Sequence, residues 1–343
     1  MVRDTLRRFA TEVLRPAALD ADETGVVAAT VRTKALSLGL LQQALPEEGA
    51  ERSMVTHMLV AEELARGDMG LAVALLASVS AVNALVRWAT PAQKAARLPA
   101  FAGDSPPLAT VAVNEPTVLF DPKRLATRAQ RKGAHWLLTG SKALVPLASH
   151  AELLLVAAQT AGEPGVFLVD RQSAGIELVP EGSMGVRAAG LGSLRLDRAP
   201  AERLGDETFD YPQFVDLGIL AWCALAVGTS QAVLEHVIPY CNDRVAFGEP
   251  ISHRQAVAFT IADMAIELDA MRLLTSRAVC RADRGLSFQR ETYLTRLFVA
   301  EKAMQIGTDG VQLLGGHGYT KEEPVERWFR DLRAAGIAYG LHL

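Results

Sequence analysis

The sequence has few cysteines and histidines, and neither residue type occurs at a spacing that suits a metal ion. The three cysteines, Cys223, Cys241 and Cys280, lie far apart and form no CxxC pair. The seven histidines form no HExxH or similar pattern. These absences argue against a disulfide framework and a structural metal, and they fit a protein of the reducing cytoplasm.

An excess of charge of one sign and a long apolar run are also missing. The formal net charge is −4, and lysines and arginines are scattered, which gives no electrostatic case for nucleic acid as a partner. The longest apolar run, residues 217–227, is too short to cross a bilayer. Residues 2–14 form a charged amphipathic pattern without an apolar signal region. We therefore expect no membrane span.

Half of the residues are apolar, enough for a large core, and their spacing divides the chain into three parts. Residues 1–107 repeat apolar side chains three and four apart, as amphipathic helices do. Within them, Thr90 and Pro91 are typical of a helix N-cap and first turn. Residues 108–205 contain short runs of branched side chains separated by glycines, which predicts a small antiparallel β domain, a sandwich or a barrel.

Residues 206–343 return to the helical pattern. The stretch 217–242 is apolar on most sides, which is typical of a central bundle helix. Two more long helices are expected over 255–285 and 287–314, and a short one over 326–336. The predicted fold is multi-domain α+β, with an N-terminal helical domain, a middle antiparallel β domain and a C-terminal four-helix bundle.

A motif with chemical content follows the long apolar helix. Arg244, Phe247, Gly248, Ile251 and Gln255 form the pattern R-x-x-F-G-x-x-I-x-x-x-Q. The guanidinium of Arg244 is a fork-shaped donor suited to pyrophosphate oxygens. Phe247 offers an aromatic face to a flat ring. Taken alone, an arginine at a helix C-terminus beside a core phenylalanine would explain these residues better.

A second motif lies at a glycine-rich corner near residue 315. Gln312 and two leucines precede Gly315, Gly316 and Gly318. Two adjacent glycines let a backbone approach a ligand and leave amide donors free. A plain helix stop would account for a bare pair of glycines, but the charged stretch 324–331 that follows makes the pattern far more specific.

Together these motifs resemble those of the acyl-CoA dehydrogenase family of flavoproteins, and the resemblance covers nearly the whole chain. It implies FAD as cofactor, an acyl-CoA thioester as substrate and electron-transfer flavoprotein as electron acceptor. It also implies a homo- or hetero-oligomer, a dimer or a tetramer, that shares FAD across a subunit interface. The cofactor-binding residues that it implies are Arg244, Phe247, Gln255, Gln312, Gly315 and Gly316.

A third stretch, residues 62–68, reads E-E-L-A-R-G-D and resembles the family as well. Its acidic and basic side chains can pair along one helix. We interpret it as a solvated helix end with Glu/Arg pairing, which supports family membership and indicates no catalytic role.

The resemblance fails at the catalytic base. The family's reaction removes the α proton of the thioester, and members supply a glutamate for it from one of two positions. Those positions hold Tyr339 and Gly218 here. A tyrosine titrates about six pKa units above a glutamate, so Tyr339 is a poor base at neutral pH. Asp216 lies on a different helix face from Gly218 and is a weak substitute.

The middle domain departs from the family too. Relatives read roughly T-E-P-G-A-G-S-D, whereas residues 114–121 read N-E-P-T-V-L-F-D, so small residues that approach the flavin and the thioester have become bulky. In K-x-W-I-T/S, relatives present a tryptophan and a hydroxyl to the flavin ring, whereas residues 142–146 read K-A-L-V-P. Pro146 also lacks a backbone donor.

These departures are lopsided and leave two functions open. Residues that reach a neighbour's cofactor are kept, while those that would hold the chain's own flavin ring and move the proton are lost. The chain is expected to dehydrogenate an acyl-CoA thioester at the α,β bond, with hydride transfer to FAD, within an oligomer. The alternative is a non-catalytic subunit that completes the FAD site of a catalytic partner, as in a heteromeric member with one degenerate subunit.

Overall fold

The first part of the protein is helical. The computed structural model describes residues 2–46, 53–133 and 135–343. Within these described ranges, six α-helices precede the sheet: α1 (Val2–Phe9), α2 (Arg15–Thr24), α3 (Ala29–Ser37), α4 (Met54–Gly67), α5 (Met69–Trp88) and α6 (Pro91–Arg97). Helix α6 begins as expected, because the Thr90 hydroxyl accepts from the Gln93 N–H while the Gln93 side chain accepts from the Thr90 N–H.

The middle part is a closed barrel. Its strands are β1 (Ala109–Ala112), β2 (Arg128–Lys132), β3 (His135–Val145), β4 (Leu153–Gln159), β5 (Pro164–Asp170), β6 (Ile176–Pro180) and β7 (Gly192–Arg203). Strands β4, β2, β3, β7 and β5 are joined in that order, and β5 pairs back with β4. Of the two architectures left open by the sequence, the barrel is therefore the one adopted.

Most strand pairings are antiparallel, as expected, but two are parallel. Strands β1 and β2 both pair with β4 in parallel, whereas the other pairings are antiparallel. Residues 113–152 separate β1 from β4, which is long enough for the crossover that a parallel pair needs. The sequence pattern also fails to reveal β2, because only Ala129 of its R-A-Q-R-K is buried.

The last part is the predicted four-helix bundle, formed by α7 (Tyr211–Asp243), α8 (Gln255–Asp283), α9 (Gln289–Leu314) and α10 (Val325–Leu332). A short hairpin, β8 (Val245–Ala246) with β9 (Glu249–Pro250), joins α7 to α8. The order of helical, β and helical parts is thus confirmed. The domain boundaries after residues 107 and 205 stay predictions.

By length and composition alone, α5 and α7 could each cross a membrane. The uninterrupted apolar run 217–227 is shorter than the apolar stretch of α7, because the helix continues on both sides of the run with few charges. However, 89% of the apolar stretch of α5 and 94% of that of α7 are buried inside the protein. We interpret both as core helices, since their apolar faces are already covered by other elements.

The interpretation of residues 62–68 as a solvated helix end is wrong. Glu62 and Glu63 are buried and pair with arginines from other helices: Arg272 with Glu62, and Arg3 and Arg7 with Glu63. Burial alone would raise the pKa of Glu63, but the hydrogen bonds from Arg7 and Arg3 outweigh burial and lower that pKa. The partners are distant in sequence, so spacing along α4 could not reveal them.

The next carboxylate of the motif fixes α5 against α10. Asp68 is buried; one of its oxygens accepts from the Leu71 N–H and caps α5, and the other accepts from Arg327 Nε at 2.9 Å. One turn further along α10, Asp331 accepts from the Val186 N–H of the barrel. These bonds tie the bundle to both other parts of the chain.

Helices α4 and α7 cross with their backbones in contact. A Cβ atom at Gly228 would lie 2.0 Å from the carbonyl oxygen of Glu62 and 3.1 Å from the nitrogen of Arg66. No side chain fits there, so the crossing requires glycine although glycine is unfavourable inside a helix.

We expect Gly228→Ala to destabilise the fold. The added methyl group forces two backbones apart, so the free energy of unfolding should fall by about 1–3 kcal/mol, despite the better helix propensity of alanine. Urea denaturation followed by circular dichroism measures this change. The control is Gly182→Ala, since a methyl group there meets nothing within 4 Å. Equal stability of the two variants would contradict the close crossing.

Candidate functional site

An open groove of about 740 Å³ lies where α7, α8 and α9 meet. Five of the six residues expected to bind the cofactor line it: Arg244, Phe247, Gln312, Gly315 and Gly316. The sixth, Gln255, is the exposed first residue of α8 and is not among the lining residues, although both of its neighbours are.

The backbone holds the aromatic ring of Phe247 out of the protein. Phe247 is 97% exposed, and its φ of 57° is in the left-handed region that a non-glycine residue rarely adopts. Gly248 follows with a φ of 89°, so the two residues form the turn between β8 and β9. An exposed aromatic side chain on a strained turn is costly for a chain that only has to fold.

The glycine corner after α9 is open. Gly315 has a φ of 58°, which explains its residue type, but Gly316 has no such constraint. A Cβ atom at either position would meet nothing within 4 Å. The packing of this chain therefore does not account for the second glycine.

Three further side chains of the groove were not identified from the sequence. The Arg254 guanidinium lies 5.7 Å from the Phe247 ring centre, which brings a second cation to the groove beside Arg244. The Tyr240 hydroxyl lies 2.8 Å from His317 Nδ1, and both residues line the groove. Arg254 falls on a variable position of the motif, so the motif alone could not single it out.

The groove has what the adenosine diphosphate half of FAD requires. Two guanidiniums can bond to pyrophosphate oxygens, an exposed ring can stack on a flat base, and an open glycine backbone permits close approach. Arg244 directly follows α7, Gln312 lies in the last turn of α9, and both line the groove. This half of the cofactor fits the residues that are present.

The resemblance places Tyr339 at the family's base position, and a cation lies against its ring. The Arg296 guanidinium lies 4.3 Å from the centre of the Tyr339 ring and donates to the carbonyl of Gly336. Burial raises the pKa of the Tyr339 hydroxyl above its usual value, Arg296 opposes this shift, and Asp121 adds to it. Tyr339 therefore stays protonated at neutral pH and cannot take a proton from a thioester.

The backbone around Tyr339 is rigidly placed. The Asn114 side chain accepts from the Tyr339 N–H at 2.7 Å and donates to the carbonyl of Ile337 at 2.9 Å. Gly340 has a φ of 93°, and a Cβ atom there would lie 2.5 Å from the carbonyl oxygen of Val111. Only glycine fits after Tyr339, which explains this part of the motif.

The second family position offers no base either. Gly218 is buried in α7 against the backbone of Leu341. Burial raises the pKa of Asp216 to about 6, a value suitable for a base. However, Asp216 lines a separate cavity with Arg87 and Phe288, and Tyr339 is not part of that cavity. Asp216 is therefore not positioned to replace the missing glutamate.

The backbone donors where the flavin ring would lie are already used. The N–H groups of Ala143, Leu144 and Leu147 donate to Asn114, Glu181 and Ala189 respectively. Pro146 has no N–H, and Val145 is fully buried.

A buried ion pair holds this stretch in place. Lys142 Nζ lies 2.9 Å from Glu115 Oε1, and Glu115 also accepts from the N–H groups of Ala126 and Thr127. Burial lowers the pKa of Lys142 to about 8, although Glu115 opposes this shift. The N–H groups of Ala143, Leu144 and Leu147 and the Lys142 ammonium are thus bonded within the chain, so these donors do not fit an isoalloxazine ring.

In the part of the chain that the structure describes, no group of three or more His, Cys, Asp or Glu could hold a metal ion. The sequence matches three family patterns in order. These are the acyl-CoA dehydrogenase N-terminal domain (residues 1–104), middle domain (residues 110–199) and C-terminal domain (residues 214–341).

Individual relatives cover almost the whole chain. Cyclohex-1-ene-1-carbonyl-CoA dehydrogenase of Geobacter metallireducens is 33% identical over 98% of this chain and 93% of its own length. The structure of butyryl-CoA dehydrogenase from Megasphaera elsdenii superposes with a TM-score of 0.87 at 26% identity, over 98% of this chain and 94% of that one. The Tcur3481–Tcur3483 steroid ACAD superposes with a TM-score of 0.89 at 28% identity, over 97% and 91%. This chain belongs to the acyl-CoA dehydrogenase family, whose members depend on FAD.

Proposed function

We propose that this chain acts in the α,β-dehydrogenation of an acyl-CoA thioester as a subunit of an oligomer. Its groove would hold the adenosine diphosphate half of an FAD whose flavin ring lies in a neighbouring subunit. The observation that carries the proposal is the groove itself, in which Arg244 and Phe247 lie beside a glycine corner that no described residue fills. FAD would accept the hydride that leaves the β-carbon of the thioester.

An exposed apolar face supports the oligomer. On α8, Phe259, Ile266 and Leu273 are exposed at intervals of seven residues, which keeps them on one side of the helix. On α9, Tyr293 and Leu297 are also exposed. Several large apolar side chains on one surface mark an interaction site in a water-soluble fold. These residues lie on two of the three helices that meet at the groove.

The comparisons support the substrate class. Two of the similar proteins are named for acyl-CoA substrates, a cyclohexene-carbonyl thioester and a butyryl thioester. Electron-transfer flavoprotein is proposed as the electron acceptor on the family resemblance, and a cytoplasmic location is proposed on the cysteine content. Neither chain length nor branching of the acyl group follows from the groove, because the groove faces the dinucleotide.

A second candidate function is favoured by a specific arrangement: the chain is a non-catalytic subunit that completes the FAD site of a different, catalytic chain. Tyr339 is protonated beside Arg296, and the donors at 143–147 are used within the chain. The Tcur3481–Tcur3483 steroid ACAD, whose name joins two designations, supports assembly from two kinds of chain. In this case the groove serves the partner, and proton removal takes place on the partner's residues.

The purified chain is expected to bind ADP and FAD with similar affinity and riboflavin far more weakly. The reason is that only the adenosine diphosphate half has a site. Arg244→Ala should weaken ADP and FAD binding about 10- to 100-fold, because a hydrogen bond between charged groups contributes about 1.5–3 kcal/mol. Isothermal titration calorimetry measures all three ligands.

The matched control for this test is Arg284→Ala, which removes an exposed arginine outside the groove and should leave both affinities unchanged. Riboflavin binding as tight as FAD binding would show that the chain holds a flavin ring by itself. Unaltered ADP affinity in Arg244→Ala would remove the groove from consideration as the phosphate site.

The non-catalytic function leads to a separate prediction. The chain alone, supplied with FAD and butyryl-CoA under anaerobic conditions, should not bleach the flavin absorbance, because no group at Tyr339 or Gly218 can take the α proton. Tyr339→Phe keeps the ring that contacts Arg296 and Phe120 and removes only the hydroxyl, so it should change nothing in an assembly with a catalytic partner.

The control for this substitution is Tyr319→Phe, since Tyr319 is exposed. If the chain alone turns over butyryl-CoA and Tyr339→Phe lowers this turnover by about 100-fold or more, Tyr339 is the base and the non-catalytic function is excluded. A loss of this size is typical of a missing general base.

A further inference from the structure

Residues 341–343 turn into the protein next to the base position. Leu341, His342 and Leu343 are only 2%, 3% and 5% exposed. The His342 ring lies edge-on to Trp88, with ring centres 4.8 Å apart, and 5.5 Å from the ring of Phe214. This segment, called here the 341–343 segment, is thus as buried as core side chains are.

The segment passes over α7 at Gly218. A Cβ atom at Gly218 would lie 2.8 Å from the carbonyl oxygen of Leu341. Outside α7, and among the described residues, the carbonyl carbon of Leu341 is the one other atom within 4 Å. Glycine is unfavourable inside a helix, so its presence in the middle of α7 calls for a packing reason. The close approach of the 341–343 segment provides that reason.

Little space remains between α5 and α7 beside the segment. The cavity there measures about 20 Å³ and is lined by Leu76 and Val79 of α5, Ala221 of α7 and the 341–343 segment itself. Such a volume holds about one water molecule. An acyl chain that starts at Tyr339 and enters the apolar space between these helices therefore meets the segment and not an open pocket.

The residues before the segment are held by directed contacts of their own. Upstream, Asn114 bonds to the backbone on both sides of residue 338, and Gly340 packs on Val111. Downstream, the Asn83 side chain donates to the carbonyl of His342 at 3.4 Å, which is a long hydrogen bond. Burial of apolar surface also holds the segment in place.

We propose that the 341–343 segment is an internal occupant of the acyl pocket, seated by the absence of a side chain at Gly218. An acyl-CoA thioester binds with its acyl chain inside the protein only when the segment is displaced. The proposal rests on the proposed function, because that function places the thioester at Tyr339.

Gly218→Ala tests the proposal on the full chain, since its methyl group clashes with Leu341 and leaves α7 with a better helix former. Hydrogen exchange measured by mass spectrometry should show the amides of residues 341–343 protected in the unaltered chain. In the variant, their exchange should be about 10-fold faster or more, because overpacking of this size disfavours the closed arrangement. Titration calorimetry should show tighter binding of butyryl-CoA by a similar factor, and no gain for CoA without an acyl group.

A second variant avoids α7 altogether. Leu343→Asp places a carboxylate where the side chain is buried, so the segment should leave its site and give the same two results. Gly182→Ala is the matched control and should change neither exchange nor binding, since a methyl group there meets nothing within 4 Å.

Unprotected amides at residues 341–343 in the unaltered chain would overturn the proposal. So would unchanged exchange in both variants, or release of the segment without tighter butyryl-CoA binding. Each sample is also titrated with ADP. The groove is remote from the segment in the chain and lined by other residues, so ADP affinity reports on the proposed function separately and should be the same in all variants.

Discussion

The buried pair of Asp68 and Arg327 is the interaction on which the arrangement of the three parts depends. Asp68 caps α5 and at the same time binds α10, so one carboxylate joins the N-terminal helices to the last helix of the bundle. Removing one partner of such a pair costs about 3–5 kcal/mol, because the other charge stays buried. Asp331 extends the link to the barrel, and burial together with the charge of Asp68 raises its pKa. The backbone that carries Tyr339 follows directly from α10, so its position depends on this link.

The candidate site consists of two halves with opposite physical demands. A dinucleotide phosphate needs cations and backbone that the chain leaves exposed, and the groove around Arg244, Phe247 and Gly316 has them. A flavin ring needs free donors inside a folded surface, and at 143–147 those donors are satisfied by Asn114, Glu181 and Ala189. Leaving the Phe247 ring and the glycine backbone exposed does not stabilise the folded chain. The exposed groove therefore indicates a ligand that this chain does not hold by itself. The stretch 143–147 instead presents N–H groups that are bonded within the chain.

The sequence predicted those features that local periodicity or a contiguous motif encodes. The order of the three parts, the bundle helices and the N-cap at Thr90 follow from spacing and residue type. Features that depend on distant partners were missed. Residues 62–68 read as a solvated helix end because the arginines that bury them lie on α1, α8 and α10. The sequence does not reveal strand β2, because only one of its residues is buried. Its pairing with β3 makes it a strand. Arg254 lines the groove, but it falls on a position where the motif that begins at Arg244 specifies no residue type.

The losses at the base position support one another, and this bears on which function the chain performs. A carboxylate at position 339 would lie close to the Arg296 guanidinium, and such a pairing lowers the pKa of a carboxyl group and weakens it as a base. A glutamate at position 218 would collide with Leu341, because even a Cβ atom lies 2.8 Å from its carbonyl oxygen. A carboxylate introduced at either position would therefore meet a group already present, a cation at 339 and backbone at 218. This arrangement favours the second candidate function, in which the proton chemistry is done on another chain.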